Sequence, residues 1–328
     1  MEKALTVIIP AYNVSQYIKQ GMDSLLEEKS IIPYIDIIIV NDGSKDNTLE
    51  IAEEYRNAFP DSVRVIDKEN GGHGSGINVG IEAAQGKYLK VLDGDDWVLS
   101  KGLKEIVSYI RENESMPDAI INPFEKVWEN GKREVITFDN ITPYKLAGFA
   151  DVNRNGYTLP LHTVTFRTDI YRQNKIPKLD EKISYDDMEY ILFPVRYINS
   201  IVFLKEIVYQ YRLGLSGQSM NPAQMIKKLP MHTKVIESLA EFYRSNKDGF
   251  DKENSIYYKR EFVNTLGTNC ELRLLNNVSK DDFVEFLNKY KDFPIDGIKN
   301  KKVCFLVNHN YFGYSFIKRY ANKKKAKA

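Results

Sequence analysis

Apolar residues near the start of the chain fall in short solid runs. Leu5-Thr6-Val7-Ile8-Ile9, stopped by Pro10, reads as a buried strand. Ile18, Met22, Leu25 and Leu26 then recur at helical spacing behind Ser15, a candidate N-cap. Ile35 to Val40 is a second β-branched run, closed by Asn41-Asp42-Gly43-Ser44. Leu49, Ala52, Tyr55 and Phe59 give the next helix its apolar face, with Asn47 and Glu50 marking its start. Val63 to Ile66 predicts a third strand. A glycine-rich loop, Asn70-Gly71-Gly72-His73-Gly74-Ser75-Gly76, leads to a helix over roughly 77–84. The fourth strand, Leu89-Lys90-Val91-Leu92, runs into Asp93-Gly94-Asp95-Asp96-Trp97. Strand and helix alternating at this spacing imply a mostly parallel sheet covered on both faces. Such sheets bind ligands at the carboxyl ends of their strands, and every polar cluster so far falls at one.

The pattern loosens afterwards. Leu103, Ile106, Val107 and Ile110 predict a helix, Ala119 to Ile121 a strand, and 135–138 an added strand. Residues 151–156 read as loop. Leu161-His162-Thr163-Val164-Thr165-Phe166-Arg167 alternates as a half-buried strand does. Helices are predicted over 225–243, 256–275 and 281–290. The tail from Tyr311 mixes aromatics with Lys318, Arg319 and Lys323-Lys324-Lys325. It reads as a solvated basic terminus, with peripheral contact to an anionic membrane face as the alternative. The domain expectation is two halves of one catalytic domain, 1–100 and 101–222, followed by a mainly helical extension, 223–328.

Composition narrows the classes. A net charge of +1 over 328 residues argues against a general nucleic-acid binder. Two cysteines give neither a disulfide framework nor zinc spacing, which fits a reducing cytosol, and the four histidines form no metal-binding pair. The first residues carry no signal-peptide pattern, and no apolar run reaches the ~18–20 residues that span a bilayer. The expectation is a cytoplasmic protein, at most peripheral on a membrane. Three carboxylates within four positions at Asp93, Asp95 and Asp96 repel one another and call for a cation, a basic partner or open solvent. Oxygen ligands suit Mn²⁺ or Mg²⁺.

Four strings then carry a family resemblance: Val7-Ile8-Ile9-Pro10-Ala11-Tyr12-Asn13, Val40-Asn41-Asp42-Gly43-Ser44-Lys45-Asp46, Asn70-Gly71-Gly72 and Asp93-Gly94-Asp95-Asp96. In this order over about 95 residues they resemble family 2 glycosyltransferases of the GT-A fold. The resemblance implies an α/β sheet sandwiched by helices and a non-processive, metal-dependent inverting transfer of a hexose. The donor would be a nucleotide sugar, foremost a UDP-sugar, and the acceptor a hydroxyl on a glycan or lipid-linked glycan of the cell surface. It places Pro10, Ala11, Tyr12 and Asn13 at the nucleotide, with the Tyr12 ring against the base. It gives Asp42 a hydrogen bond from the base, and Gly71 and Gly72 a close backbone approach. Asp93 would face the ribose or the metal, Asp95 would ligate the metal, and Gly94 and Asn78 would lie at the nucleotide.

Many relatives carry an arginine just before that asparagine, where this chain has Ile77, so a later basic residue or His73 would take over its diphosphate contact, although His73 by itself reads first as a solvated loop histidine. Asp186-Asp187 resembles the acidic pair of the acceptor side, with Asp187 the catalytic base kept ionised at a helix start. Val208 to Arg212 and Gln218-Ser219-Met220 resemble a closing segment that makes Arg212 a candidate phosphate contact. The Q-x-x-R-W signature of processive relatives is absent. A sugar-nucleotide pyrophosphorylase would need a basic glycine-rich loop after the first strand, where Ala11-Tyr12-Asn13-Val14 stands. The remaining alternative is a non-catalytic nucleotide-sugar-binding scaffold on the same fold.

Overall fold

Leu5–Ala11 (β1) and Ile35–Asn41 (β2) are buried along their whole length, as runs rich in β-branched residues favour. They belong to a computed structural model that describes residues 1–215 and 222–325. The chain divides into two units, Met1–Leu215 and Ser216–Ala328. In the first, the strands continue with Val63–Asp67 (β3), Tyr88–Val91 (β4), Trp97–Val98 (β5) and Ala119–Ile121 (β6). Phe124–Trp128 (β7), Arg133–Ile136 (β8), Leu146–Ala147 (β9), Val164–Arg167 (β10), Ile201–Phe203 (β11) and Tyr209–Leu213 (β12) follow. The helices of this unit are Ile18–Leu26 (α1), Thr48–Ala58 (α2), His73–Ala83 (α3), Ser100–Glu112 (α4), Phe149–Arg154 (α5), Thr168–Gln173 (α6) and Asp187–Leu192 (α7).

Eight strands form one sheet in the order β3-β2-β1-β4-β10-β6-β11-β9. The first four are parallel, and β10 runs antiparallel to both its neighbours. Chain direction across the sheet reverses between β1 and β4, which makes a topological switch point there. A four-stranded sheet, β5-β12-β7-β8, stands beside it, and β12 brings Tyr209 and Arg212 back to the turn after β4.

Several boundaries differ from the sequence reading. The third helix begins at His73, so Gly74 and Gly76 lie inside it rather than in a loop. These glycines serve packing: a Cβ on Gly74 would meet the Asp180 carbonyl at 2.6 Å, and one on Gly80 would meet Ile8 at 2.2 Å. Ser15 caps nothing, because α1 starts at Ile18. Residues expected as loop form α5, and Leu161–Thr163 is a turn of 3₁₀ helix ahead of β10 rather than strand.

The second unit comprises Pro222–Lys227 (α8), Leu229–Asn246 (α9), Lys252–Leu275 (α10), Lys280–Asn288 (α11), Lys301–Asn308 (α12) and Tyr314–Lys325 (α13). The first expected helix is split because Pro230 starts α9 and cannot continue α8. Asp251 and Ser279 cap α10 and α11 through their side chains. Phe262 stacks on Phe293 at 4.0 Å in this unit's core, beside Leu266 and Cys270. No helix of the described residues is long and apolar enough to cross a membrane. Gln218, Ser219 and Met220 lie outside the described residues.

Candidate active site

The site grows from the carboxyl ends of β1, β2 and β4. Pro10 and Ala11 end β1, and Tyr12 emerges with its residue 49% exposed. Asn13 adopts φ 53°, and its side-chain oxygen accepts from the Lys45 amide at 2.7 Å, tying the turns after β1 and β2 together. Gly94 lets the acidic turn lie against β1: a Cβ there would sit 3.1 Å from the Pro10 carbonyl. The predicted residues Pro10, Asn13, Asp42, Gly71, Gly72, Asp93 and Gly94 therefore share one end of the sheet.

Asp42 is buried and holds the glycine loop. Its carboxylate accepts from the Gly71 amide (2.8 Å), the Gly72 amide (2.7 Å) and the Lys68 ammonium (2.7 Å). The hydrogen bond expected from a base must use what remains of about four acceptor positions. Gly72 has φ +87°, and a Cβ there would meet the Lys182 amide at 2.9 Å. Lys182 in turn donates its amide to the Gly71 carbonyl at 2.6 Å, so the acceptor-side segment rests directly on the glycine loop.

His73 joins the two sides. Its Nδ1 lies 2.7 Å from Asp186, and its Nε2 lies 3.0 Å from Asp93. Burial favours the neutral ring, but the Asp186 charge and both hydrogen bonds hold His73 well above the usual histidine range. It is an imidazolium between two carboxylates, neither a solvated loop histidine nor a free diphosphate ligand. Asp186 stands at the N-cap position of α7 without capping it, since its carboxylate is turned to His73. Asp187 follows at the first helical position. Burial, then the charge of Asp186, raise it to about 6, with His73 pulling the other way. The helix start thus does not keep this group an ordinary carboxylate.

One expectation is corrected. Asn78 does not face the nucleotide: its amide donates to the Leu179 carbonyl and accepts from the Leu179 amide, both at 2.9 Å. Ile77, at the place of the relatives' arginine, is fully buried in the helix–sheet core and offers nothing to a diphosphate. Arg212 does reach the acidic turn. Its Nε donates to the Asp95 carbonyl at 2.8 Å, and its guanidinium lies 4.6 Å over the Trp97 ring.

The sequence reading missed His162, which the fold brings to the carboxylates. Asp93, Asp96 and His162 place a ligand atom each within 4.8 Å of one another. The His162 ring stacks on Tyr211 at 4.1 Å and on Phe124 at 5.2 Å. Among the described residues its Nδ1 is buried without a hydrogen-bond partner. Burial pushes its pKa down to about 4, so the ring is neutral. Beneath it the buried Lys90, lowered to about 7 by burial, donates to the His162 and Val164 carbonyls. Only the alternating pattern around His162 hinted that it faces inward. Asp96 is a strut: its oxygens accept from the Tyr209 hydroxyl and the Arg212 amide, both at 2.7 Å. Burial, then Asp93 and Asp95, push Asp96 well above the carboxylate range, a repulsion that a cation would relieve.

Comparison with known proteins decides the family. The sequence model of glycosyl transferase family 2 matches residues 6–179, more than half of the chain. The chain is a family 2 glycosyltransferase. Among its relatives, the poly(ribitol-phosphate) beta-N-acetylglucosaminyltransferase TarS of Staphylococcus aureus (strain MW2) is 28% identical over 218 residues, 66% of this chain and 37% of that protein. This transferase therefore matches little more than a third of that relative's length. In structure it resembles S. aureus TarS 1-349 in complex with UDP-GlcNAc, with a TM-score of 0.67 and 20% identity over 99% of this chain and 92% of that one. It also resembles the mannosyltransferase PcManGT of Pyrobaculum calidifontis in complex with GDP-Man and Mn²⁺, at a TM-score of 0.53 and 13% identity over 98% and 87% of the two chains. The large sheet flanked by helices in this glycosyltransferase is the GT-A fold.

Proposed function

We propose that this glycosyltransferase is a metal-dependent, inverting hexosyltransferase that moves a sugar from a UDP-sugar to a hydroxyl of a cell-surface polymer. The observation that carries this reading is the His73 bridge: one imidazolium ties Asp93, at the end of β4, to Asp186, next to Asp187. Residues 1–100 are the nucleotide-sugar half, 101–222 the acceptor half and 223–328 the helical extension. TarS, solved with UDP-GlcNAc, makes that nucleotide sugar the first donor to test. The poly(ribitol-phosphate) in its name makes a polyol-phosphate chain the first acceptor. Both cysteines are free, which suits a reducing cytoplasm.

The residues fit a divalent cation. Asp93 and His162 would hold it, with Asp96 or Asp95 completing the protein ligands, and a neutral imidazole is the form a metal takes. An imidazole among carboxylates suits Mn²⁺ better than Mg²⁺, as does the Mn²⁺ of PcManGT. When bound, the cation would neutralise charge on the diphosphate. Tyr12 offers an exposed ring to the base, and Asp42 fixes the glycine loop beneath it. Arg212 sets its cation beside the acidic turn for the phosphates. Asp187 takes the proton of the acceptor hydroxyl as that oxygen attacks the anomeric carbon. The bond from that carbon to the diphosphate oxygen breaks, UDP leaves, and the configuration inverts. His73 holds Asp186 and thereby the start of α7, which carries the base.

Calorimetric titration of UDP, GDP and CDP, with and without Mn²⁺, tests this reading on wild type, Asp93→Asn and His162→Gln. UDP is expected to bind with Mn²⁺ and to lose about tenfold or more without it. Asp93→Asn should abolish the metal dependence, and His162→Gln should erase the preference for Mn²⁺ over Mg²⁺. Absence of metal-dependent binding for every nucleotide would leave the non-catalytic scaffold as the better reading.

A further inference from the structure

The last thirty residues of the sequence have a composition unlike the rest. Residues 299–328 hold nine of the chain's 46 Lys/Arg, and all 45 Asp/Glu lie before them. Its residues Lys301–Asn308 and Tyr314–Lys325 are α12 and α13, and each helix buries residues on one face. Val303, Leu306, Tyr314 and Ala321 are buried. The Tyr314 ring packs 5.2 Å from Phe283, and its hydroxyl donates to the Val278 carbonyl at 2.9 Å. Lys318 donates to the same carbonyl, and Asn322 to the Leu274 carbonyl.

The outer face is where large rings stand in solvent. Phe312 is 77% exposed, Phe316 75%, Tyr320 47% and Phe305 42%. Phe316 and Tyr320 are four residues apart on α13, and Phe312 stands in the turn just before that helix. Phe305 stacks on His309 at 4.2 Å, and the His309 carbonyl accepts from the Phe312 amide in the turn that joins α12 to α13. Arg319 is exposed beside them. Isolated exposed apolar residues are ordinary, but four of the eleven exposed large hydrophobic residues described fall within 305–320, and all four are aromatic.

We infer that this face of α12 and α13 docks on an anionic lipid surface, with Phe305, Phe312, Phe316 and Tyr320 entering the headgroup boundary. Charge complementarity selects the occupant. A stretch that carries cations and no carboxylate of its own suits a negative membrane face. Lys302 alone of its described cations is paired to an acid, Glu271. Bulky rings beside the cations are what an interfacial helix buries there. A soluble polyanion would use the cations and leave the rings wet. The exposed rings therefore shift the reading of this tail from a solvated terminus to a peripheral membrane contact. It stands independently of the transferase chemistry.

The test is co-sedimentation of the full chain with phosphatidylglycerol/phosphatidylcholine vesicles and with pure phosphatidylcholine vesicles, at about 0.1 M and about 0.5 M salt. Binding is expected on the anionic vesicles, weakened by salt and about tenfold or more weaker on the neutral ones. Phe312→Ser/Phe316→Ser should weaken anionic binding by about tenfold or more while leaving the melting curve unchanged, because both rings lie outside the core. Lys301→Glu/Arg319→Glu should do the same through charge. The inference is overturned by equal binding to both vesicle types or by none. It is also overturned if the phenylalanine variant binds anionic vesicles as wild type does, which would make the site a polyanion contact matched by soluble polyphosphate. Concentration-dependent self-association of wild type, lost in the phenylalanine variant, would assign the face to a second copy and equally overturn it.

Discussion

At Asp187, burial and a neighbouring carboxylate act in the same direction, and the group titrates near 6 instead of near 4. As the proposed base, Asp187 must be deprotonated to work, so turnover is expected to fall as pH drops through about 6, read from the pH profile of kcat. A higher proton affinity also makes Asp187 a stronger base while leaving it mostly ionised at neutral pH. Asp187→Asn should keep donor affinity and lower turnover by about 10²-fold or more in a single-turnover assay. The same change removes a charge that the folded state binds a proton to relieve, so the melting temperature should hold or rise at pH 7. Asp42, Asp93 and Asp187 could be singled out from the sequence because each sits in a short contiguous string that resembles a family motif, and the structure brings them toward one end of the sheet. The roles of His73 and His162 could not be read this way. Their partners lie at sequence distances such as 20 and 113 positions, and no local pattern encodes such a meeting.

At the scale of elements, α3 shows how a helix is brought to its strand. Gly76 and Gly80 face Pro10 and Ile8, and the missing side chains let the helix approach β1. Gly80→Ala should destabilise the protein by about 1–3 kcal/mol, because the neighbour is an Ile8 side chain in a filled core rather than a mobile tip. Urea denaturation would measure it, and an unchanged midpoint would mean that α3 can shift without cost. Helix propensity would predict the opposite sign, since alanine is the better helix former. The glycine spacing looked like a loop for this reason: local preference and tertiary packing disagree there. β1, β2 and β4 were readable from short runs dominated by apolar and β-branched residues. β7, β9 and β5 were not, because two to five residues become a strand only through partners far along the chain, as β7 does against β12.

For the whole molecule, ligand binding and stability are linked. UDP with Mn²⁺ at about a hundred times its dissociation constant should stabilise the native state by about 2.7 kcal/mol, visible as a higher unfolding temperature in scanning calorimetry. Asp93→Asn should show no such rise, and an equal rise in that variant would remove Asp93 from the metal site. The resemblance carried by four strings in the first hundred residues was enough for the fold of the first unit. It said little of the second, where helices are set by caps and prolines and the outer face of α13 by what the inner face leaves over. The reach of His73 to Asp186 has a kinetic consequence as well. A contact between residues 113 positions apart, with Asn78 meeting Leu179 across 101, forms only after a long loop has closed. The site is therefore expected to assemble late in folding, so that a chain with its helices and local strands formed would gain nucleotide binding only when these two ends of the catalytic unit meet, which stopped-flow refolding with a nucleotide-binding readout would show.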